Sequence, residues 1–253
     1  MIFPELLFNL NSLGRSHMGY TKTTNALRYL SLVGMLALSS SLTWASGTSK
    51  CTSRDWQNVE SIPAIIEKVV DGDTIKISYQ DEIYNIRMLS IDTPETHFQG
   101  KSQGYWGDQA AEELATLVPR GSKVEIVFDE EKCDRYGRLL AYVFKDGVNI
   151  NLEMVKSGLA VNYCIAPNVM FCKEFGTAVD RNIKKKQGIF SDSTLERPYE
   201  WRRQMSRRPH EKYIGNLDTK LVYAPGSLDQ VPVGKRIFFM KRQDVSAPYS
   251  FAP

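Results

Sequence analysis

The chain has 253 residues, 42% hydrophobic and 24% charged, so it can bury a core that needs no metal or disulfide merely to hold together. This composition excludes disorder of the whole chain, and a net formal charge of +3 excludes a histone-like polycation. The length fits one domain with extensions or two small domains.

Charge is unevenly placed. Residues 197–253 carry eleven Lys and Arg against five Asp and Glu, whereas residues 46–196 carry 18 against 23. A mildly acidic body with a basic tail argues against simple electrostatic binding of nucleic acid by the body. It favours a site that concentrates carboxylates around a metal.

In chain order, the first expected element is an export signal. Lys22 and Arg28 precede an apolar stretch from Tyr29 to Leu42, and Thr43-Trp44-Ala45 supplies a small-residue cleavage point after Ala45. The run is shorter than the roughly 20 apolar residues of a membrane span, so cleavage is expected, with no span remaining afterwards. Met18 is a candidate start, and the product is expected to be secreted or periplasmic. Cys51, Cys133, Cys164 and Cys172 all follow the cleavage point, and an even count in an exported chain suggests disulfides. Of the three pairings, one closes a short loop from Cys164 to Cys172 and ties Cys51 to the Cys133 hairpin. No CxxC spacing points to zinc.

The apolar, β-branched run Ala64 to Val70 ends at Asp71-Gly72-Asp73 and restarts at Thr74 to Tyr79, the pattern of a hairpin. A third strand is expected over Ile83 to Leu89. Gly107 to Val118 places Ala110, Ala111, Leu114 and Leu117 at helical spacing. Lys123 to Phe128 and Leu139 to Phe144 read as two further strands. A short helix ended by Gly158 and a longer one over Lys173 to Lys186 follow. Five short strands with a helix between the third and fourth is the order of a small closed barrel, the five-stranded OB-fold, with about three helices in a mainly β, α+β chain. Residues 195–253 read as a basic extension with one strand-like run, Arg236 to Met240. Its charge suits docking to nucleic acid, to anionic lipid or to the barrel's own acidic surface, although Arg202-Arg203 with Trp201 is more often just a solvated segment.

Three polar clusters interrupt these strands: VVDGDT (69–74), IRMLSIDTPET (86–96) and DRYGR (134–138). Asp73 and Asp92 end two neighbouring strands, so their carboxylates can converge on a hard cation. Two carboxylates and a backbone carbonyl leave coordination positions for water, which suits Ca²⁺ in a catalytic role. Taken singly, each cluster has an ordinary reading. Asp71-Gly72-Asp73 is a common β-turn, Arg87 an exposed strand arginine, and Asp134 with Arg138 a hairpin decoration. The first is no EF-hand loop, because Ile75 stands where an oxygen ligand is needed.

Taken together and in this order, the clusters resemble the staphylococcal-nuclease-like (thermonuclease) family over about residues 62–192, including SGLAVNY (157–163) and KKKQGIFSD (184–192). The resemblance implies a segment 46–61 leading into a nuclease domain over 62–194, an OB-fold barrel with three helices, and Ca²⁺-dependent cleavage of DNA and RNA by a monomer. It makes Asp73 and Asp92 the calcium carboxylates and Thr93 a ligand through its backbone carbonyl. Arg87 and Arg138 become the phosphate-binding arginines, and Glu95 the carboxylate that orients or deprotonates water. Tyr136 and Tyr163 become substrate contacts. The chain departs from the family after Tyr163, where the segment is one residue shorter and Ile165 replaces a usual tyrosine.

Chemistry supports the set independently. Phosphodiester hydrolysis builds negative charge at phosphorus, which a divalent ion and two planar guanidiniums stabilise more than the ground state. The rival classes are a non-catalytic OB-fold nucleic-acid-binding module of the cell envelope, and an envelope structural protein in which the tail is the working part. Filling of every side-chain role in the site argues against the first.

Overall fold

A computed structural model describes residues 47–253; the expected signal over 1–45 lies outside them. A short helix α1 (Ser53–Trp56) leads to β1 (Ser61–Asp71), β2 (Thr74–Tyr79), β3 (Glu82–Met88) and β4 (Ser90–Asp92). Helix α2 (Tyr105–Leu117) separates these from β5 (Lys123–Cys133), β6 (Leu139–Lys145) and β7 (Val148–Asn149). Then come α3 (Ile150–Lys156), β8 (Val161–Ile165) and α4 (Cys172–Lys185). The tail forms α5 (Pro198–Met205), β9 (Tyr213–Asn216), β10 (Leu221–Tyr223), β11 (Arg236–Phe239) and β12 (Ser250–Phe251).

Strands β3-β2-β1-β5-β6 lie in that order, and a parallel pairing of β3 with β6 closes them into the expected five-stranded OB-fold barrel. Closure needs curvature, and β1 provides it. Its inward residues Ile62, Ala64 and Ile66 alternate with exposed ones, then two register shifts against β2 bend the strand. Ile75, Ile77, Ile86, Met88, Ile126 and Leu139 fill the interior with almost no exposure. Removing so many large apolar side chains from water is the main favourable contribution to the fold.

Helix α2 lies against β1 at the Asp71–Thr74 turn. Gly72 allows that approach, since a Cβ there would fall 2.6 Å from the Ala110 Cβ and 2.7 Å from the Thr93 Oγ1. Helix α3 starts at Asn149, whose side chain accepts from the Leu152 N–H at 3.1 Å. The buried Asn151 accepts from the Val143 N–H and donates to the Leu89 carbonyl, both at 2.9 Å, tying the β3–β4 connection to β6. Of the three pairings open to the four cysteines, the structure has Cys51–Cys133 with Cys164–Cys172.

The tail is more structured than its sequence suggests. Strands β12-β10-β9-β11 continue into β8 and β4 as one six-stranded sheet, with β11 parallel to β8 through Ile237↔Cys164 and Phe238↔Ile165. Tyr199, Ile214, Leu228, Val231 and Phe238 form a buried cluster that Tyr163 of β8 adjoins. The tail thus shares a sheet and a core with the segment that presents the site. Among the described residues, no helix is long and apolar enough to cross a membrane.

Candidate active site

The end of β1, the start of β2 and the β3–β4 connection meet at one point of the barrel. Asp73 sits in the β1–β2 turn, Arg87 near the end of β3 opposite Thr74, and Asp92 at the end of β4. Between them Ser90 adopts a left-handed backbone with φ of 63°, and its hydroxyl is 2.9 Å from the Tyr142 hydroxyl. This sharp buried turn lets Asp92 fold back towards Arg87 five residues earlier.

The Arg87 Nη2 lies 3.0 Å from the Asp73 Oδ2 and 3.1 Å from the Asp92 Oδ1, so the two expected metal carboxylates meet across one nitrogen. Its Nη1 donates to the carbonyls of Met88 at 2.7 Å and Ile91 at 3.0 Å, which fixes the fork. Asp73 also accepts from the Thr93 N–H at 3.2 Å and the Thr74 hydroxyl at 3.0 Å. Burial alone raises the Asp73 carboxyl, but Arg87 and Arg202 outweigh it and hold it below the ordinary carboxylate value.

Glu95 follows Pro94 in the connection to α2. Its N–H donates to the Gln103 side chain at 3.2 Å, and its carbonyl accepts from the Gln103 N–H at 2.8 Å. Gly107 lets α2 close over this carbonyl, since a Cβ there would sit 2.5 Å from it. Burial, reinforced by Asp73 and Asp92, raises the Glu95 carboxyl despite Arg202 beside it. Asp71, two residues before Asp73, is pushed up to about 7 by burial and then by the charge of Asp73.

Arg202 of α5 is not part of a solvated segment; of the readings of the tail, docking on the barrel's own acidic surface is the one its contacts match. Its Nη2 reaches both Asp92 oxygens at 2.8 and 2.9 Å, and its Nη1 reaches the Glu95 Oε1 at 2.6 Å. The arginine side chain is 18% exposed and that of Asp92 not at all. The physical reason is the shared sheet: β11 docks on β8, Tyr199 packs under Phe238, and α5 is carried over the carboxylates. Such a contact spans 110 residues of chain and leaves no local pattern to find.

The other expected residues stand on the DRYGR hairpin and on β8. Arg138 bonds Asp134 in its own hairpin, at 2.7 Å from Nε to Oδ2, and makes no contact with the carboxylate group. Tyr136 is 65% exposed, with the guanidiniums of Arg135 and Arg138 at 4.9 and 5.6 Å from its ring centre. Tyr163 faces Ser90 across the β4–β8 pairing and is packed against Tyr199 and Phe238 at 5.6 and 5.0 Å between ring centres. Its hydroxyl accepts from the Lys212 Nζ at 2.8 Å. Burial raises the Tyr163 hydroxyl well above its ordinary value.

The donor set fits a hard divalent cation. Asp73 and Asp92 present oxygen from two sides, and the Thr93 carbonyl lies in the segment between Asp92 and Glu95. Among the described residues, no group of three or more His, Cys, Asp or Glu side chains is placed to hold a metal ion.

Comparison with known proteins places residues 85–192 in the family model described as staphylococcal nuclease homologue. That span holds Arg87, Asp92, Thr93, Glu95, Tyr136, Arg138 and Tyr163, while Asp73 and Arg202 lie outside it. Endonuclease YhcR of Bacillus subtilis is 33% identical over 194 residues, covering 72% of this chain and 16% of that protein. The SPbeta prophage-derived endonuclease YokF of the same organism is 36% identical over 134 residues, 52% of this chain and 45% of that protein. Thermonuclease of Staphylococcus hyicus is 29% identical over 161 residues, 64% of this chain and 94% of that protein. The chain thus spans less than half of either endonuclease but almost all of the thermonuclease.

Proposed function

Since the chain belongs to the staphylococcal nuclease-like family, we propose that it is an exported, Ca²⁺-dependent, sugar-nonspecific nuclease that hydrolyses phosphodiester bonds of DNA and RNA. The observation that carries this reading is the gathering of Asp73, Asp92, Glu95 and Arg87 at one buried point of the barrel. Relatives named endonuclease and thermonuclease support the nuclease class. Two disulfides support an oxidising compartment and so export.

Asp73, Asp92 and the Thr93 carbonyl would hold the cation, which when bound supplies charge to neutralise a phosphate oxygen and a position for water. The Arg87 guanidinium, locked by the Met88 and Ile91 carbonyls, is preorganised to stabilise the extra negative charge that builds on phosphorus. Lysine lacks the planar fork for that task. Glu95 takes or orients the proton of the attacking water, and its raised pKa brings it nearer the working pH of a general base. Arg138 supplies the second guanidinium from the DRYGR hairpin, with the 5′ oxygen as leaving group. Tyr136, exposed beside Arg135 and Arg138, offers a face on which a base can stack. Tyr163, half-buried against Tyr199 and Phe238, is the second aromatic substrate contact.

The test is cleavage of end-labelled single- and double-stranded DNA and of RNA by the purified chain, in Ca²⁺ and in chelator. Cutting of all three in Ca²⁺ and none in chelator is the expected result. Tight binding without cutting would move the protein to the non-catalytic binding class.

A further inference from the structure

Nothing in the phosphodiester chemistry above requires Arg202, yet it occupies the centre of the site. One guanidinium covers both oxygens of Asp92 and one oxygen of Glu95. Asp92 already receives Arg87, so its oxygens hold three donor contacts within 3.1 Å. A carboxylate offers about four lone-pair positions, so little is left on Asp92 for a further partner. A cation ligated by Asp92 at about 2.3–2.6 Å would also place like charge against the guanidinium. Arg202 and a divalent ion therefore compete for the same oxygens.

The arginine is placed there by construction. Its helix begins with Pro198 at the first turn, and Glu200 is bonded to Arg236 of β11 at 2.9 Å. Tyr199 is buried against Phe238, and Trp201 packs on Phe98 of the Glu95 connection at 6.0 Å between ring centres. With the backbone held on both sides, release of the carboxylates falls to the long Arg202 side chain itself. The Tyr163 ring, 6.0 Å from the guanidinium carbon, offers it a face to move towards.

We propose that Arg202 is the built-in counter-ion of the cation site: it neutralises Asp92 and Glu95 in the cation-free protein and has to leave them for a divalent ion to bind. The proposal rests on the Ca²⁺-dependent reading of the site. It makes the C-terminal tail the element that sets cation affinity, and it makes Arg202 a positioning residue rather than one that reacts.

Calorimetric titration of the full chain with CaCl₂, with no substrate present, tests it directly in wild type, Arg202→Gln and Arg202→Lys. The expected result is tighter Ca²⁺ binding by about tenfold in Arg202→Gln and an intermediate gain in Arg202→Lys, which keeps the charge but loses the fork. Thermal melting in chelator should fall in Arg202→Gln, and saturating Ca²⁺ should narrow the gap from wild type. Should Arg202→Gln not fold in chelator, Arg202→Lys carries the comparison alone. Ca²⁺ affinity equal to or weaker than wild type in the folded variants overturns the counter-ion role and leaves the nuclease reading standing. Absence of Ca²⁺ binding in all three proteins overturns both.

Discussion

Arg87 links the carboxylates of Asp73 and Asp92 and is itself held by two backbone carbonyls, so its replacement acts on charge and geometry together. Arg87→Ala is expected to lower kcat by about 10²–10³-fold at saturating Ca²⁺, and Arg87→Lys to recover little of it. Steady-state cleavage of a defined DNA substrate measures both. Gly72 has a different task, since any Cβ there meets Ala110 and Thr93 inside normal contact distance. Gly72→Ala is therefore expected to destabilise the protein by about 1–3 kcal/mol, read from the urea midpoint, by pushing α2 and the Thr93 segment off the turn. Asp73, Asp92, Thr93 and Glu95 were legible in the sequence because each lies in a short motif next to a strand end. Arg202 was not, because the carboxylates it pairs with stand 107 and 110 residues earlier.

At the scale of elements, the sheet shared by β8 and β11 decides how the tail behaves. Phe238 is 2% exposed and packs on both Tyr163 and Tyr199. Phe238→Ala should cost about 3–5 kcal/mol in chemical denaturation, and should loosen α5 with it. The disulfides differ in the same terms. Cys51–Cys133 spans 82 residues and Cys164–Cys172 only 8, so chain entropy predicts that losing the first costs about 2 kcal/mol more. Equal losses in paired Cys→Ala variants would contradict that ordering. Strand β2 was readable to the residue, and β3, α2 and α4 within two residues, because each is long enough to show its period. Strands β4, β10 and β12 have three residues or fewer, too short for alternation to appear, and the pairings of β4 with β8 and of β12 with β10 are non-local.

For the molecule as a whole, the described tail folds with the barrel rather than beside it. Four of its eleven Lys and Arg pair with carboxylates: Arg202 with Asp92 and Glu95, Arg203 with Glu211, Arg236 with Glu200, and Lys235 with Asp180 and Asp218. Truncation after Glu196 would strip β11 from β8 and uncover the Tyr163 cluster, so the shortened chain is expected to aggregate or unfold at lower temperature rather than remain as a free barrel. A truncated chain with unchanged melting temperature would contradict the shared core.

The central claim is that the carboxylates and Arg87 gathered on the barrel hydrolyse phosphodiesters, with Glu95 handling the water. The most direct measurement is the single-turnover cleavage rate of Glu95→Gln beside wild type in saturating Ca²⁺, with DNA affinity measured on the same preparations. The expected result is a fall in rate of about 10²–10⁴-fold with affinity little changed, since the amide keeps the shape but cannot accept the proton. A variant that cuts as fast as wild type would contradict the account.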